Sequence, residues 1–364
     1  MMEIFLVTLP GLEAHLAEEA RDAGFSVTAT EPGGVTCQGD WADAARANLM
    51  LRGTTRVLVR LASFRAMHLA QLHKRARKLD WATWLRPDVP VRVEAVCRAS
   101  KIYHKKAAAE RIARAITETV GAPVADTAEI VLKLRIEDDL ATLSLDTSGA
   151  ALHQRGIKTK MHKAPLRETL AALLLRACGH DGQEALYDPM CGAGTLPIEA
   201  AEIAAGLWPG RARGFAMDHL AVRLSRPEPP AARPVALRYF GSDRDSGAIA
   251  MARANADAAG VASMTRFEMH PVSDITAPDT APGLVMVNPP YGGRVGNKKP
   301  LFGLYAALGA RLQEQFAGWR VGLVTTDAGL AKVTGLPWGP PGPHIDHGGL
   351  KIRLWQTGPL PGTH

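Results

Sequence analysis

The segment Asp188-Pro189-Met190-Cys191-Gly192-Ala193-Gly194-Thr195, followed about a hundred residues later by Asn288-Pro289-Pro290-Tyr291, constrains this chain more than any other feature. The first segment lies between an apolar run, Ala185-Leu186-Tyr187, and the helix-forming stretch 196–204, so it reads as strand, loop, helix. The second closes the apolar run 284–287 and therefore projects from the carboxyl end of another strand. Open parallel α/β sheets bind their ligands at that rim.

Glycines at 192 and 194 let the backbone approach a ligand and take up positive φ, and the helix that follows offers unpaired N–H groups. A dinucleotide fingerprint would need a third glycine where the sequence has Pro197, which disfavours a nicotinamide cofactor. The stretch 235–240 leads into Gly241-Ser242-Asp243, about 55 residues after Asp188, and a carboxylate there suits a ribose diol. A helix is expected over 246–259, stopped by Gly260, and a third strand over 266–270 delivers Asp274 to the same rim.

This pattern resembles the class I S-adenosyl-L-methionine-dependent methyltransferases, and the Asn-Pro-Pro-Tyr tetrad resembles those acting on exocyclic or amide nitrogens. The resemblance implies S-adenosyl-L-methionine as cofactor. It places the loop residues Asp188, Pro189, Met190, Cys191, Gly192, Gly194 and Thr195 along the methionine part, Asp243 at the ribose hydroxyls and Asp274 at the adenine amino group. It also makes Asn288, Pro289, Pro290 and Tyr291 the catalytic residues, with Asn288 bordering the cofactor. An aromatic amine is a poor nucleophile because its lone pair is conjugated into the ring. The Asn288 side-chain oxygen and the Pro289 carbonyl can each accept one amino hydrogen, favouring a pyramidal nitrogen. The two prolines stiffen the turn, and Tyr291 is placed to stack on the base. No strong general base is required.

The four cysteines, Cys37, Cys97, Cys178 and Cys191, form no C-x-x-C pair, and histidines do not cluster at ligand spacing. Neither a metal centre nor a disulfide framework is expected, and a reducing cytoplasm is the expected setting. Methylation at a pyrimidine carbon would need a cysteine where Asn288 stands. No apolar run is long enough for a membrane span, and no membrane partner is expected. Length and a 46% hydrophobic composition allow two or three domains. Charge is unevenly distributed: from Arg52 to Arg114 sixteen Lys and Arg face four Asp and Glu, a balance of +12 in a chain whose total is +7. A polyanion is the partner such a stretch suits.

Residues 1–55 read as βαββα, the order of a small ferredoxin-like unit: strands at 4–7, 25–30 and 35–38, helices at 12–20 and 41–50. Over 56–155, strands are expected at 57–61, 90–96, 130–134 and 141–145, with an amphipathic helix at 107–120. The loop between strand and helix carries Arg98, Lys101, Tyr103, His104, Lys105 and Lys106, basic residues interleaved with an aromatic, which suits RNA phosphates and a stacked base.

Taken whole, residues 2 to about 327 resemble the THUMP-domain RNA methyltransferases, in particular the bacterial guanine-N2 enzymes of large-subunit ribosomal RNA. Leu9-Pro10-Gly11-Leu12-Glu13, Leu145-Asp146-Thr147-Ser148-Gly149, Leu152-His153-Gln154-Arg155-Gly156 and 164–172 carry the likeness alongside the two segments above. It implies an α/β class I (Rossmann-like) methyltransferase domain over 156–364, a mostly parallel sheet with one late antiparallel strand. Ahead of it come α+β ferredoxin-like (1–55) and THUMP (56–155) domains. It also implies cofactor contacts at Leu166 and Thr169. The linker 155–163 adds Lys158, Lys160 and Lys163 as a basic bridge, with Lys158 and Lys160 as RNA contacts, and 208–233 reads as an inserted segment. The chain is too short for the second, guanine-N7 methyltransferase fused to the family's largest enzymes, and its Pro/Gly-rich tail from Gly335 resembles tRNA-acting relatives. Large-subunit rRNA is the expected target and tRNA the alternative. A DNA adenine-N6 methyltransferase, a protein glutamine methyltransferase and a non-catalytic RNA-binding protein are weaker readings: the first would lack the THUMP-like basic module, that module has no role in the second, and the intact tetrad argues against the last.

Overall fold

The computed structural model describes all residues except 158–165, 224–225, 237, 292–298 and 363–364. The chain divides into two compact units: Met1–Thr8, Leu16–Leu152 and Ala212–Glu228 form one, and Leu9–His15, His153–Arg211 and Pro229–His364 form the other.

The first unit is built on β1 (Met2–Val7), α1 (Glu13–Asp22), β2 (Ser26–Glu31), β3 (Gly34–Gly39), α2 (Trp41–Met50), β4 (Arg56–Arg65), α3 (Leu69–Ala76), β5 (Val91–Arg98), α4 (Lys105–Val120), β6 (Ile130–Glu137) and β7 (Leu140–Asp146). Its strands lie in one seven-stranded sheet, ordered β2-β3-β1-β4-β7-β6-β5. β4 joins the two halves that the sequence reads separately, pairing antiparallel with β1 on one side and β7 on the other. Alternation explains the sheet's two faces: Val57 and Val59 are buried on β4 while Arg56 and Arg60 are not, and Leu132, Leu134 and Ile136 alternate with Lys133 and Arg135 on β6. α2 starts in a capping box, Asp40 accepting from the Asp43 N–H and Asp43 from that of Asp40. Of the expected inserted segment, 208–233, residues Ala212–Glu228 belong to this unit and the flanks to the other. Arg213 donates to the Ser148, Ala150 and Ala151 carbonyls, Arg213 and Arg226 flank the Phe215 ring, and Met217 is buried beside Asn48.

The second unit holds α5 (Glu168–Ala177), β8 (Leu186–Asp188), α6 (Thr195–Ala205), β9 (Tyr239–Asp243), α7 (Ser246–Ala259), β10 (Thr265–Met269), β11 (Leu284–Val287), α8 (Lys299–Gln315), β12 (Arg320–Thr325), α9 (Ala328–Val333), β13 (Ile345–His347) and β14 (Leu350–Gln356). The sheet order is β10-β9-β8-β11-β12-β14-β13. β8 to β12 are parallel to their neighbours, whereas β14 runs antiparallel to β12 and β13 antiparallel to β14. β8 and β11 are therefore neighbours although the chain makes β9 and β10 between them, and the connection reverses direction at that pair. Such a switch point opens a crevice at the carboxyl ends of the two strands. Val285, Val287, Val321 and Leu323 pack with Tyr305, Leu312 and Phe316 of α8 and Leu330 of α9. On the opposite face, Met286 meets Cys178 at the end of α5. Among the described residues no helix is long and apolar enough to cross a membrane.

Candidate active site

Asp188 ends β8, and Asn288 follows the last residue of β11 on the adjacent strand, so the two sides of the crevice carry the two signature segments. The loop after Asp188 turns on Gly192 (φ 51°) and Gly194 (φ 82°) and enters α6 with Gly194 at its N-cap and no side-chain cap. The two glycines serve different ends. A Cβ at Gly194 would come within 3.0–3.1 Å of Ala252, Ile198 and Phe267, so close packing demands glycine there. A Cβ at Gly192 would meet nothing within 4 Å, so this residue borders open space.

Asp243 ties the loop to the next strand. Its carboxylate accepts the Gly192 N–H at 3.1 Å through Oδ2 and that of Asp245 at 3.0 Å through Oδ1. Each oxygen retains acceptor capacity after these bonds. His270 donates its N–H to the Asp243 carbonyl, and the following turn carries Asp274 along the same rim, exposed and accepting from the Ser273 hydroxyl. Asp188 is buried and accepts the Met190 N–H at 3.0 Å. Burial pushes its carboxyl up to about 8; the Met190 hydrogen bond opposes this and the Asp243 charge adds to it. Burial, with Asp188 and Asp243 adding, raises the Cys191 thiol well above its ordinary value, so it is no nucleophile at neutral pH. Thr195 and Pro189 are buried, and Met190 packs against the core.

Pro289 is buried, Pro290 exposed and Tyr291 half-buried, its phenol pushed up to about 12 by burial. Asn288 Oδ1 and Thr169 Oγ1 are buried, with no hydrogen-bond partner among the described residues. Buried acceptors are rarely left so. Thr169 lies in the first turn of α5, and Leu166, just before that helix, is buried as well. Unpartnered oxygens, an open glycine and an uncapped helix start are features a bound S-adenosyl-L-methionine and amine would use, so the residues present fit that cofactor.

The sequence gives no sign of Tyr305, which lies on α8 with its hydroxyl 3.4 Å from the Pro290 carbonyl and 3.5 Å from Thr325 Oγ1 at the end of β12. It props the tetrad turn from beneath. Behind Asp188, the buried Tyr187 hydroxyl is 2.8 Å from that of Ser242.

Of the predicted RNA-contacting residues, Arg98, Lys101, Tyr103, His104, Lys105 and Lys106 lie in the first unit, and all six are exposed. Two details of the loop differ from expectation. Arg98 is the last residue of β5, and Lys105 and Lys106 form the first turn of α4 because lysine and the alanines after it are good helix formers. Lys158, Lys160 and Lys163 lie outside the described residues. The strand expected to run from 235 begins only at Tyr239, after a stretch broken by prolines.

A parallel sheet reversed at β8/β11, with a glycine loop, two strand-end carboxylates and an Asn-Pro-Pro-Tyr turn, defines a Rossmann-like protein of the methyltransferase type. The family described as RMKL-like, methyltransferase domain, matches residues 155–336, and the RlmL ferredoxin-like domain matches residues 3–58. The chain belongs to the RMKL-like methyltransferase family. It is 38% identical over 358 residues to the ribosomal RNA large subunit methyltransferase K/L of Syntrophotalea carbinolica, covering 91% of this chain and 50% of that protein. The chain spans about half the length of the K/L relatives it matches. Among solved structures, a protein of Clostridium difficile described as a possible methylase is 27% identical with a TM-score of 0.87, covering all of both chains. A protein of Listeria monocytogenes described as an N6-adenine-specific DNA methylase is 28% identical with a TM-score of 0.87, covering 98% of this chain and 96% of that one.

Proposed function

We propose that this chain is an S-adenosylmethionine-dependent RNA methyltransferase that modifies the exocyclic N2 of a guanosine, with large-subunit ribosomal RNA as its substrate. The observation that carries the reading is the buried Asn288 Oδ1 at the switch point, without a hydrogen-bond partner among the described residues. It is an acceptor held in place before anything binds, which is where electrostatic preorganisation contributes most. S-adenosylmethionine, when bound, supplies an electrophilic methyl group.

The chain's own residues do the rest. Gly192, Thr195, Thr169 and Asp188 line the methionine side, Asp243 offers its remaining acceptor sites to the ribose diol, and Asp274 takes the adenine amino group. Asn288 Oδ1 and the Pro289 carbonyl each accept one hydrogen of the target amine, which turns the nitrogen lone pair out of conjugation. Pro289, Pro290 and the Tyr305 hydroxyl beneath them keep those acceptors from rotating away. Tyr291 stacks on the base. The nitrogen loses its proton only after it has become acidic, so no basic side chain is needed, and the protonated Cys191 takes no part.

The basic stretch in residues 52–114 favours a nucleic acid over a protein target, and the ribosomal RNA name of the K/L relatives favours rRNA over DNA and tRNA. A stretch such as 56–155 fits a THUMP module. Incubation with isotope-labelled methyl donor and separate pools of rRNA, tRNA and DNA tests the reading. Label in rRNA supports it, whereas label confined to DNA would replace it with adenine-N6 methylation.

A further inference from the structure

We infer that RNA is gripped along the α3–α4 helical edge of the first unit and not on its open sheet face. The inference rests on the RNA-methyltransferase reading above and adds a surface to it. Both faces are rich in Lys and Arg, yet the structure treats them differently. On the sheet face every strand cation but Arg65, which donates to the Asp138 carbonyl, and Arg98 is held by a carboxylate. Arg56 pairs with Asp146, Arg60 with Glu3 and Glu31, Arg92 and Lys133 with Glu94, and Arg135 with Glu137. Those charges are neutralised within the fold and offer little net field to a phosphate.

On the helical edge, Lys74, Arg75, Lys78, Lys101, Lys105 and Lys106 are exposed, and none of their side chains has a carboxylate partner among the described residues, although the Lys101 backbone N–H donates to Asp139. Their order in space follows from three contacts. Lys101 Nζ lies 3.8 Å from Met67 Sδ just ahead of α3, whereas His73 and Arg77, at its other end, reach Glu118 near the end of α4 at 3.1 and 3.3 Å. The helices therefore run side by side in the same direction. Lys101, Lys105 and Lys106 mark one end of a cationic stripe and Lys74, Arg75 and Lys78 the other. From Lys105 to Glu118 the helix rises roughly 20 Å.

The stripe also has a polarity. Met67 and Tyr103, 46% and 75% exposed, sit at the Lys101 end, and the Tyr103 ring is 4.7 Å from that of His104. Residues 74–78 bring cations without an aromatic. Cations alone suit a phosphate backbone and carry no sequence information, while an exposed aromatic beside cations suits one unpaired base. The stripe thus holds the backbone of a structured RNA, and Tyr103 takes an unpaired nucleotide where it ends.

The test compares two triple variants of the full chain that change net charge equally: Lys74→Gln/Arg75→Gln/Lys78→Gln on the stripe and Arg92→Gln/Lys133→Gln/Arg135→Gln on the sheet. Affinity for a fluorescent RNA hairpin with an unpaired tail is measured by anisotropy at several salt concentrations. The stripe variant should flatten the salt dependence of log K by about 2 to 3, at roughly 0.7–0.9 per lost phosphate contact, and the sheet variant by less than one contact's worth. Equal effects would overturn the inference, as would competition by polyglutamate as strong as by unlabelled RNA. Lys74→Arg/Lys78→Arg, which keeps the charge, should bind as wild type and guards against a folding defect. Tyr103→Ala should erase the preference for the tailed hairpin over a blunt one. A wild-type chain that binds S-adenosylmethionine but no RNA would instead refute the RNA reading itself.

Discussion

Replacing Asn288 by alanine separates catalysis from folding in a way the structure makes quantitative. Oδ1 is buried without a partner among the described residues, so the native state bears its desolvation, about 1–3 kcal/mol for an unsatisfied polar group. Alanine removes that penalty along with the acceptor. The variant should therefore be as stable as the parent or slightly more so, in contrast to the usual buried truncation. The target amine would lose one of two acceptors present chiefly in the transition state, and loss of one preorganised partner of this kind costs about 10²–10³ in rate, or roughly 2.7–4 kcal/mol. The assay pairs thermal unfolding with single-turnover methyl transfer at saturating RNA and donor. Turnover reduced by two to three orders with unchanged donor affinity and undiminished melting temperature is the expected result. A rate within a few fold of wild type would refute the amine-alignment argument, and a large drop in stability would show that Oδ1 has a structural partner.

Asp243→Ala should weaken S-adenosylmethionine binding by about 1.5–3 kcal/mol, the scale of a lost charged hydrogen bond, and calorimetry showing unchanged affinity would remove the ribose assignment. Asp188 holds its proton in the native state up to about 8, whereas the unfolded carboxyl loses it near 3.8. The unfolded chain then binds fewer protons across that window, so this group's contribution to stability falls as pH rises from about 4 to 8. Asp188→Asn should flatten that decline in melting temperature against pH, and parallel curves for the two proteins would show that the carboxyl ionises without cost. Neutralising Lys101, Lys105 and Lys106 together should weaken every RNA alike and flatten the salt slope by about 0.7–0.9 per contact, leaving sequence choice intact. A sequence-dependent loss would mean that these lysines read bases.

The elements nearest the candidate site were the most legible. Strand-ending apolar runs, the Gly-x-Gly turn and Gly260 place β8, α7 and β11 because each has a local cause, a period or a backbone conformation that only glycine takes easily. What remained hidden depends on distant pairing. Nothing in 56–65 announces that β4 will bridge β1 and β7, since register across a sheet is set by tertiary packing. α3 is not legible because it is only eight residues long and capped by a histidine, His68, whose Nδ1 accepts from the Gln71 N–H. Residues 212–228, within the inserted segment 208–233, give no local signal of belonging to the first unit, because Phe215 and Met217 are single apolar residues without a period. Family likeness alone places Thr169 at the cofactor; its hydroxyl, without a partner among the described residues, supplies a physical reason to expect it there.

Identification of the methylated nucleoside tests the central claim most directly. Total RNA labelled by the wild-type chain and by Asn288→Ala would be digested to nucleosides and resolved by chromatography with mass detection. The account predicts label in N2-methylguanosine from large-subunit rRNA with wild type and almost none with the variant. Label in N6-methyladenine, or equal guanosine methylation by both proteins, would contradict it.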